Sequence, residues 1–335
     1  MKNILVTGGL GFIGSHTVIE LIHNGYTPII VDNLTNTRRS VLKTLQQLTN
    51  QKITFYQTDV LNQEKLIQIL HENNIEAVIH FAALKAVGES IEKPTVYYKN
   101  NIGGLLSVLG AMDTAHINKM VFSSSATVYG DPDILPITED APLKTPTSPY
   151  GVTKQLGERI ISDVANSNNL KAVILRYFNP IGAHESGRIG ELPIGTPNNL
   201  VPYLVQAAAG IRKELTIYGD DYPTLDGTGI RDYIHVVDLA KAHVKALNYL
   251  EKVKEPVTTL NLGTGKGNSV LELIKTFESV NNVKVPYTIG SRRSGDIASC
   301  YASATKAKRV LEWEAHKTLE NALQDAWKWQ QYNKR

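Results

Sequence analysis

Tyr150 and Lys154 stand four residues apart in Thr147-Ser148-Pro149-Tyr150-Gly151-Val152-Thr153-Lys154. Ser148 suits a helix N-cap and Pro149 the first helical position, so a helix is expected to start here. The spacing then puts both side chains on one face. A free tyrosine, with a pKa near ~10, is a poor base at neutral pH. A neighbouring ammonium, with the positive ring of a bound nicotinamide, stabilises the phenolate and is expected to lower the Tyr150 pKa. Ser123-Ser124-Ser125-Ala126-Thr127 ends an apolar run and offers hydroxyls that could share a proton with a substrate alcohol. Together these groups suit proton transfer at a carbinol, which becomes redox chemistry if a hydride acceptor binds alongside.

A second motif supplies that acceptor. Thr7-Gly8-Gly9-Leu10-Gly11-Phe12-Ile13-Gly14 follows an apolar run and precedes a helical pattern. Gly8, Gly11 and Gly14 fall where a tight turn, a close backbone approach and a helix–sheet contact each need glycine. The helix that follows directs its free N–H groups and positive end at a pyrophosphate. Asp32 closes the next strand, where a carboxylate binds a ribose 2′-hydroxyl and repels a 2′-phosphate. The cofactor expected is therefore NAD. Arg38 and Arg39 lie farther on and are read as solvated charges at the next helix.

Alternating elements must hold these groups. Strands are expected at Asn3–Thr7, Thr27–Val31, Ile53–Gln57, Ala77–Phe81, Met120–Ser123 and Ala172–Tyr177, with helices such as Phe12–Asn24, Gln63–Asn73 and Thr95–Ala115 between them. Continuous apolar runs mark parallel strands covered on both faces. The fold class is thus α/β: a Rossmann-like, doubly wound parallel sheet over residues 1–178. From 179 to 335 Gly and Pro interrupt the rhythm, and a smaller α+β substrate-binding lobe is expected, with some chain crossing between the two. Its helices are read near Leu200–Gly210, Val237–Glu251, Ser269–Ser279 and Thr318–Gln331. Gly263-Thr264-Gly265-Lys266-Gly267 imitates a phosphate loop, but no Ser or Thr follows its Gly-Lys. It is read as a turn, with Ser269 as a helix cap.

Composition narrows the classes. The 335 residues carry a formal net charge of +3, too small to suggest nucleic acid or an anionic membrane as partner. The single cysteine, Cys300, forbids an internal disulfide and suits a reducing compartment, so a cytoplasmic protein is expected. No apolar segment is long enough for a membrane span. Nine histidines show no His-Glu-x-x-His, and no metal site is expected.

Four further segments complete the pattern: Phe81-Ala82-Ala83-Leu84-Lys85-Ala86-Val87-Gly88-Glu89-Ser90, Ser123–Gly130, Leu175-Arg176-Tyr177-Phe178-Asn179-Pro180 and Gly227-Thr228-Gly229-Ile230-Arg231-Asp232-Tyr233-Ile234-His235-Val236. With the glycine loop and Tyr-x-x-x-Lys, the chain resembles the extended short-chain dehydrogenase/reductase family, and within it the sugar-nucleotide 4-epimerases, over essentially its whole length. The resemblance implies an NAD-dependent isomerase acting on a UDP-hexose. Carbon 4 is oxidised to a 4-keto sugar, and hydride returns to the opposite face, interconverting UDP-galactose and UDP-glucose.

Residue by residue, the resemblance implies that Asp59 and Val60 contact adenine, beside Gly8, Gly11, Phe12, Ile13, Gly14, Asp32 and Asn33. Phe81, Ala82, Ala83, Lys85, Asn100, Ser123 and Tyr177 would line the rest of the cofactor cleft. Tyr150 would be the base, Lys154 would hold the nicotinamide ribose, and Ser125, in preference to Thr127, would bind the 4-hydroxyl. Asn179, Asn199, Leu200, Tyr218, Arg231, Arg292 and Asp296 would grip the UDP portion, Lys85 also reaching the substrate. Guanidinium forks suit a diphosphate better than ammonium does. Cys300 would stand beside the sugar, where a small side chain could admit a 2-acetamido group and so UDP-N-acetylglucosamine or UDP-N-acetylgalactosamine. Family members often pair as homodimers, here through Thr95–Ala115 and Tyr150–Asn168.

Two rivals were weighed. A dehydratase of this fold carries an Asp-Glu pair after the active-site threonine, whereas Val128 follows Thr127 here. A non-catalytic NAD-binding regulator could discard its reactive groups, yet Tyr150, Lys154 and Ser125 are all present.

Overall fold

The computed structural model describes residues 2–293 and 295–333. Its centre is a seven-stranded parallel sheet. Six strands are β1 (Asn3–Thr7), β2 (Thr27–Asp32), β3 (Thr54–Gln57), β4 (Ile75–His80), β5 (Lys119–Ser125) and β6 (Lys171–Tyr177). A seventh, Val257–Leu262, pairs with β6 at the edge, so the order across the sheet is Val257–Leu262, β6, β5, β4, β1, β2, β3. That last strand was not among the six read from sequence. Val-Thr-Thr-Leu-Asn-Leu is short and half its length is polar, so it shows no continuous apolar run.

Strand alternation sends successive side chains to opposite faces. Ile4, Val6, Val121, Val173 and Leu175 join one core, which also takes residues of the helices Phe12–His23 and Val236–Leu250. Leu5, Met120, Phe122, Ala172 and Ile174 join the other, against Gln63–Glu72, Gly103–Thr114 and Pro149–Ser167. The chain leaves the sheet at Tyr177 and returns to it through Val236–Leu250 and the edge strand. A third core gathers Leu200–Ala208, Leu215–Tyr218, Val270–Asn281 and Leu319–Asn333.

One expected helix is interrupted. In place of a continuous Thr95–Ala115, the structure has Pro94–Tyr97, a π-helical turn at Tyr98–Ile102, and Gly103–Thr114. The turn swings Asn101 inward, where its amide donates to the Leu84 carbonyl at 3.0 Å and to Thr153 Oγ1 at 3.0 Å. A π-turn inside a helix often marks a functional position, and here it joins the loop after β4 to the helix of Tyr150. No helix among the described residues is long and apolar enough to cross a membrane.

Candidate active site

The strand order reverses between β1 and β4, and ligands of open α/β sheets bind at such a switch point. Thr7 Oγ1 and His80 Nδ1, at the two strand ends, lie 2.8 Å apart. From β1 emerges the glycine loop. Gly8 has φ +69°, and a Cβ on Gly14 would sit 2.3 Å from the Gly8 carbonyl, so the loop and helix can meet only without side chains. The helix N-cap, Gly11, offers no side-chain cap. The first-turn N–H groups at Phe12 and Ile13 are thus directed out of the helix end, as a pyrophosphate requires. Asp32, 8% exposed, accepts from Leu10 N at 3.2 Å and Leu34 N at 2.9 Å. Asn33 donates to Asp59 Oδ2 at 2.8 Å, which draws the two expected adenosine-side residues together. Val60 is buried against the helix at Gly104.

From β4 emerge Phe81, Ala82, Ala83 and Lys85. The Phe81 ring lies 4.8 Å from that of His243, whose Nε2 is 2.5 Å from the Tyr177 hydroxyl. Ser123 lies beside that hydroxyl. Asn100 stands on the π-turn and donates to Asn101. Ser148 caps the helix Pro149–Ser167 by accepting from Gly151 N at 3.2 Å, with Pro149 in the first turn as its sequence suggests.

Tyr150 and Lys154 do share one face of that helix. The Ser125 hydroxyl lies beside the Tyr150 phenol, close enough to favour its ionised form. Lys154, 4% exposed, donates its ammonium to the Ser123 carbonyl at 2.5 Å, and Nζ stands 5.9 Å from the centre of the Tyr150 ring. The protein's own groups do not lower the Tyr150 pKa. Burial, penalising the phenolate, pushes it up to about 12, against the smaller opposing pull of Ser125. Lys154 is likewise pushed down to about 8 by burial, with Glu158 working the other way. The ammonium is spent on a carbonyl rather than on the phenol. Thr127 Oγ1 is buried with no hydrogen-bond partner among the described residues.

The residues expected around UDP form the open side. Asn199 stands just before the helix Leu200–Ala208 without capping it through its side chain, and its amide shares Glu191 Oε1 with Lys85, at 2.8 Å and 2.6 Å. Asn179 lies in a short strand beside Tyr233–His235. Arg231 donates to the Ile230 carbonyl and stands opposite Cys300 in a parallel pair. Arg292 bonds Asp221 at 2.6 Å and stacks 4.2 Å over Tyr222. Arg293 covers Tyr218 at 5.2 Å and pairs with Asp296. Cys300 is buried beside Ala126 and Phe178. Glu191, Tyr222 and Arg293 carried no signal in the sequence, lying in irregular segments without periodicity.

Gly263–Gly267 cradles an anion, but an internal one. Asp232 is fully buried and accepts from Thr264 N at 2.8 Å, Gly265 N at 3.1 Å and Ala302 N at 3.1 Å. Ser269 caps the following helix in a capping box with Glu272.

A family model described as GDP-mannose 4,6 dehydratase matches residues 5–326. UDP-glucose 4-epimerase of Bacillus subtilis (strain 168) is 53% identical over 333 residues, covering 98% of this chain and 97% of its own. The chain belongs to the UDP-glucose 4-epimerase family. Among solved structures, the UDP-glucose 4-epimerase of Stenotrophomonas maltophila with bound NAD and formylated UDP-arabinopyranose superposes with a TM-score of 0.97 at 48% identity, over 100% of this chain and 99% of that one. The UDP-glucose 4-epimerase of Bifidobacterium longum, in complex with NAD+ and UDP, has a TM-score of 0.96 at 49% identity, over 99% of each chain. The UDP-Glc/GlcNAc 4-epimerase of Campylobacter jejuni is more distant, with a TM-score of 0.85 at 32% identity over 99% of this chain and 100% of that one. The dehydratase named by the family model is not favoured, since Val128 follows Thr127 where a carboxylate pair would stand.

Proposed function

We propose that this protein interconverts UDP-galactose and UDP-glucose with a retained NAD. The observation that carries the reading is the Ser125–Tyr150–Lys154 group, its ammonium buried and its two hydroxyls half-buried, set at the switch point beside an uncapped glycine-loop helix. When bound, NAD accepts the hydride from carbon 4 and later returns it. Tyr150 takes the 4-hydroxyl proton and gives it back, and Ser125, beside the phenol, is placed to share that proton. Lys154 supplies positive charge and the ribose contact, while Asp32 selects the unphosphorylated ribose. Lys85, Asn199, Arg231 and Arg292 hold the diphosphate end, leaving the keto sugar free to turn and present its other face. Binding energy spent on the nucleotide keeps the intermediate captive.

Incubation with UDP-galactose in the absence of added NAD is expected to yield UDP-glucose. Failure both without and with supplied NAD, in protein shown to bind NAD, would overturn the substrate assignment.

A second reading concerns breadth. Cys300 is small, lies in an apolar cluster with Ala126 and Phe178, and has its thiol pushed up to about 11 by burial, so it acts as a compact apolar wall. We propose that this wall admits a 2-acetamido group. Cys300→Tyr is then expected to abolish turnover of UDP-N-acetylgalactosamine while sparing UDP-galactose; equal loss of both would discard the gate. We further propose a cytoplasmic homodimer. Val96 and Leu106, from the elements flanking the π-turn, and Leu156, from the helix of Tyr150, are each more than a third exposed, which suits helix pairing between two copies.

A further inference from the structure

Arg176 and Glu158 form the one ion pair among the described residues with both side chains buried, at 6% and 7% exposure. Stability does not explain such a pair. Desolvating two charges costs several kcal/mol per ion, and apolar replacements are often neutral or better. Its position does explain it. Tyr150, Lys154 and Glu158 descend the same helix face at four-residue steps. Glu158 Oε1 accepts from Ser124 Oγ at 2.5 Å and Arg176 Nε at 2.9 Å, while Oε2 accepts from Arg176 Nη2 at 2.7 Å. Arg176 Nη1 also donates to the Tyr129 hydroxyl at 2.8 Å, which in turn donates to Asn261 Oδ1 at 2.6 Å.

Strand alternation makes this a clamp from behind. Ser124 lies between Ser123, whose carbonyl takes the Lys154 ammonium, and Ser125, whose hydroxyl meets Tyr150. Its own side chain goes to the opposite face, toward the ion pair. Tyr129 ends the short turn Ala126–Tyr129 that carries Thr127. One carboxylate therefore ties the Tyr150 helix, β5 and β6 together, and the edge strand is reached through Tyr129.

We infer that the Glu158–Arg176 pair is a positioning device, fixing the Ser123–Ser125 strand end and the Lys154 ammonium against Tyr150. It rests on the reading of Tyr150 as the base. The charges around Lys154 support it. Glu158 is the carboxylate that sustains the ammonium, and its partner Arg176 stays charged. His80, facing from β4, is held neutral, its pKa pushed down to about 3 by burial and by Lys154 itself. Tyr177 from β6, and Tyr97 with its partner Glu89, face the Tyr150 end and are neutral or exposed.

The test uses the NAD-bound protein in two forms. Glu158→Met/Arg176→Met removes both charges together, so neither is left buried alone, and Ser124→Ala removes only the link to the strand. Melting temperature, bound NAD, kcat and KM for UDP-galactose, and the pH profile of kcat are read for each. Both variants are expected to fold with NAD bound and to lose about tenfold in kcat at unchanged KM, the cost of a misplaced reacting group. In the double variant the alkaline limb is expected to move to lower pH, because Lys154 has lost the carboxylate that kept it charged; in Ser124→Ala it stays. Wild-type kcat and pH profile in a folded double variant would reduce the pair to a structural role. If the double variant does not fold, Ser124→Ala decides alone, and wild-type kcat there overturns the inference. Tyr150→Phe, measured alongside, separates the two claims: an active Tyr150→Phe defeats the base assignment whatever the pair does.

Discussion

Tyr150→Phe is expected to lower kcat for UDP-galactose by about 10²- to 10⁴-fold while NAD stays bound, the usual worth of a positioned acid–base group. Phenylalanine keeps the ring and its packing, including the face 5.9 Å from the Lys154 ammonium. Only the oxygen that meets Ser125 is lost. Melting temperature and NAD content should therefore match the parent, and the loss should fall in kcat.

The size of that effect follows from what the phenol must overcome. Burial alone holds it protonated, with a pKa about 12, so a bare phenolate is scarce at neutral pH. The base must therefore be the phenolate fraction, which a bound oxidised nicotinamide would stabilise with its positive ring charge until hydride neutralises it. In the return direction the same high pKa is an advantage, since a neutral phenol is then the acid required. Bound NAD and kcat measured together would check this. If turnover persisted near the parent rate, the acid–base role would pass to Ser125 or to Thr127, whose Oγ1 is buried and free of any partner among the described residues.

Much of this was legible before any coordinates. The glycine loop, the strand runs and the Ser148–Pro149 helix start depend on neighbours in sequence, and the local rules that govern them hold here. The π-turn at Tyr98–Ile102 was not legible, because what stabilises it is Asn101 reaching Leu84 and Thr153, the latter far along the chain. Glu191 was hidden for the same reason: its partners Lys85 and Asn199 meet only in three dimensions. On the Tyr150 pKa two effects within the protein compete, and only one of them is visible in sequence. Sequence spacing reveals the ammonium but not the burial, nor the Ser123 carbonyl that takes the ammonium away. The Gly263–Gly267 turn was read correctly as no phosphate loop, yet its actual occupant, the Asp232 carboxylate, comes from the junction between two short strands, 32 residues from Thr264.

Acid should destabilise the fold steeply between pH 7 and 5. His16 and His80 are pushed down to about 3 and His243 to about 4, burial being the leading cause in each. Each is neutral when folded, whereas an unfolded histidine protonates below pH 6.5. The unfolded chain thus binds more protons below that pH, and stability must fall as pH falls. Each ring contributes about 1.4 kcal/mol per pH unit, so three rings remove about 6 kcal/mol by pH 5. Buried carboxylates oppose this. Asp32 and Asp232 are raised by burial, which favours their protonated folded forms in acid. The histidines win, because three rings with large downward shifts oppose two carboxylates with smaller upward ones. The local contacts explain why the rings resist protonation. His16 Nε2 has no partner among the described residues, His80 faces the Lys154 ammonium, and His243 Nε2 accepts from Tyr177. Urea midpoints at pH 7 and pH 5 should therefore differ strongly, and His16→Gln should flatten the slope by its share. A midpoint unchanged across that range would mean that these rings bind protons in the folded protein as readily as in the unfolded chain.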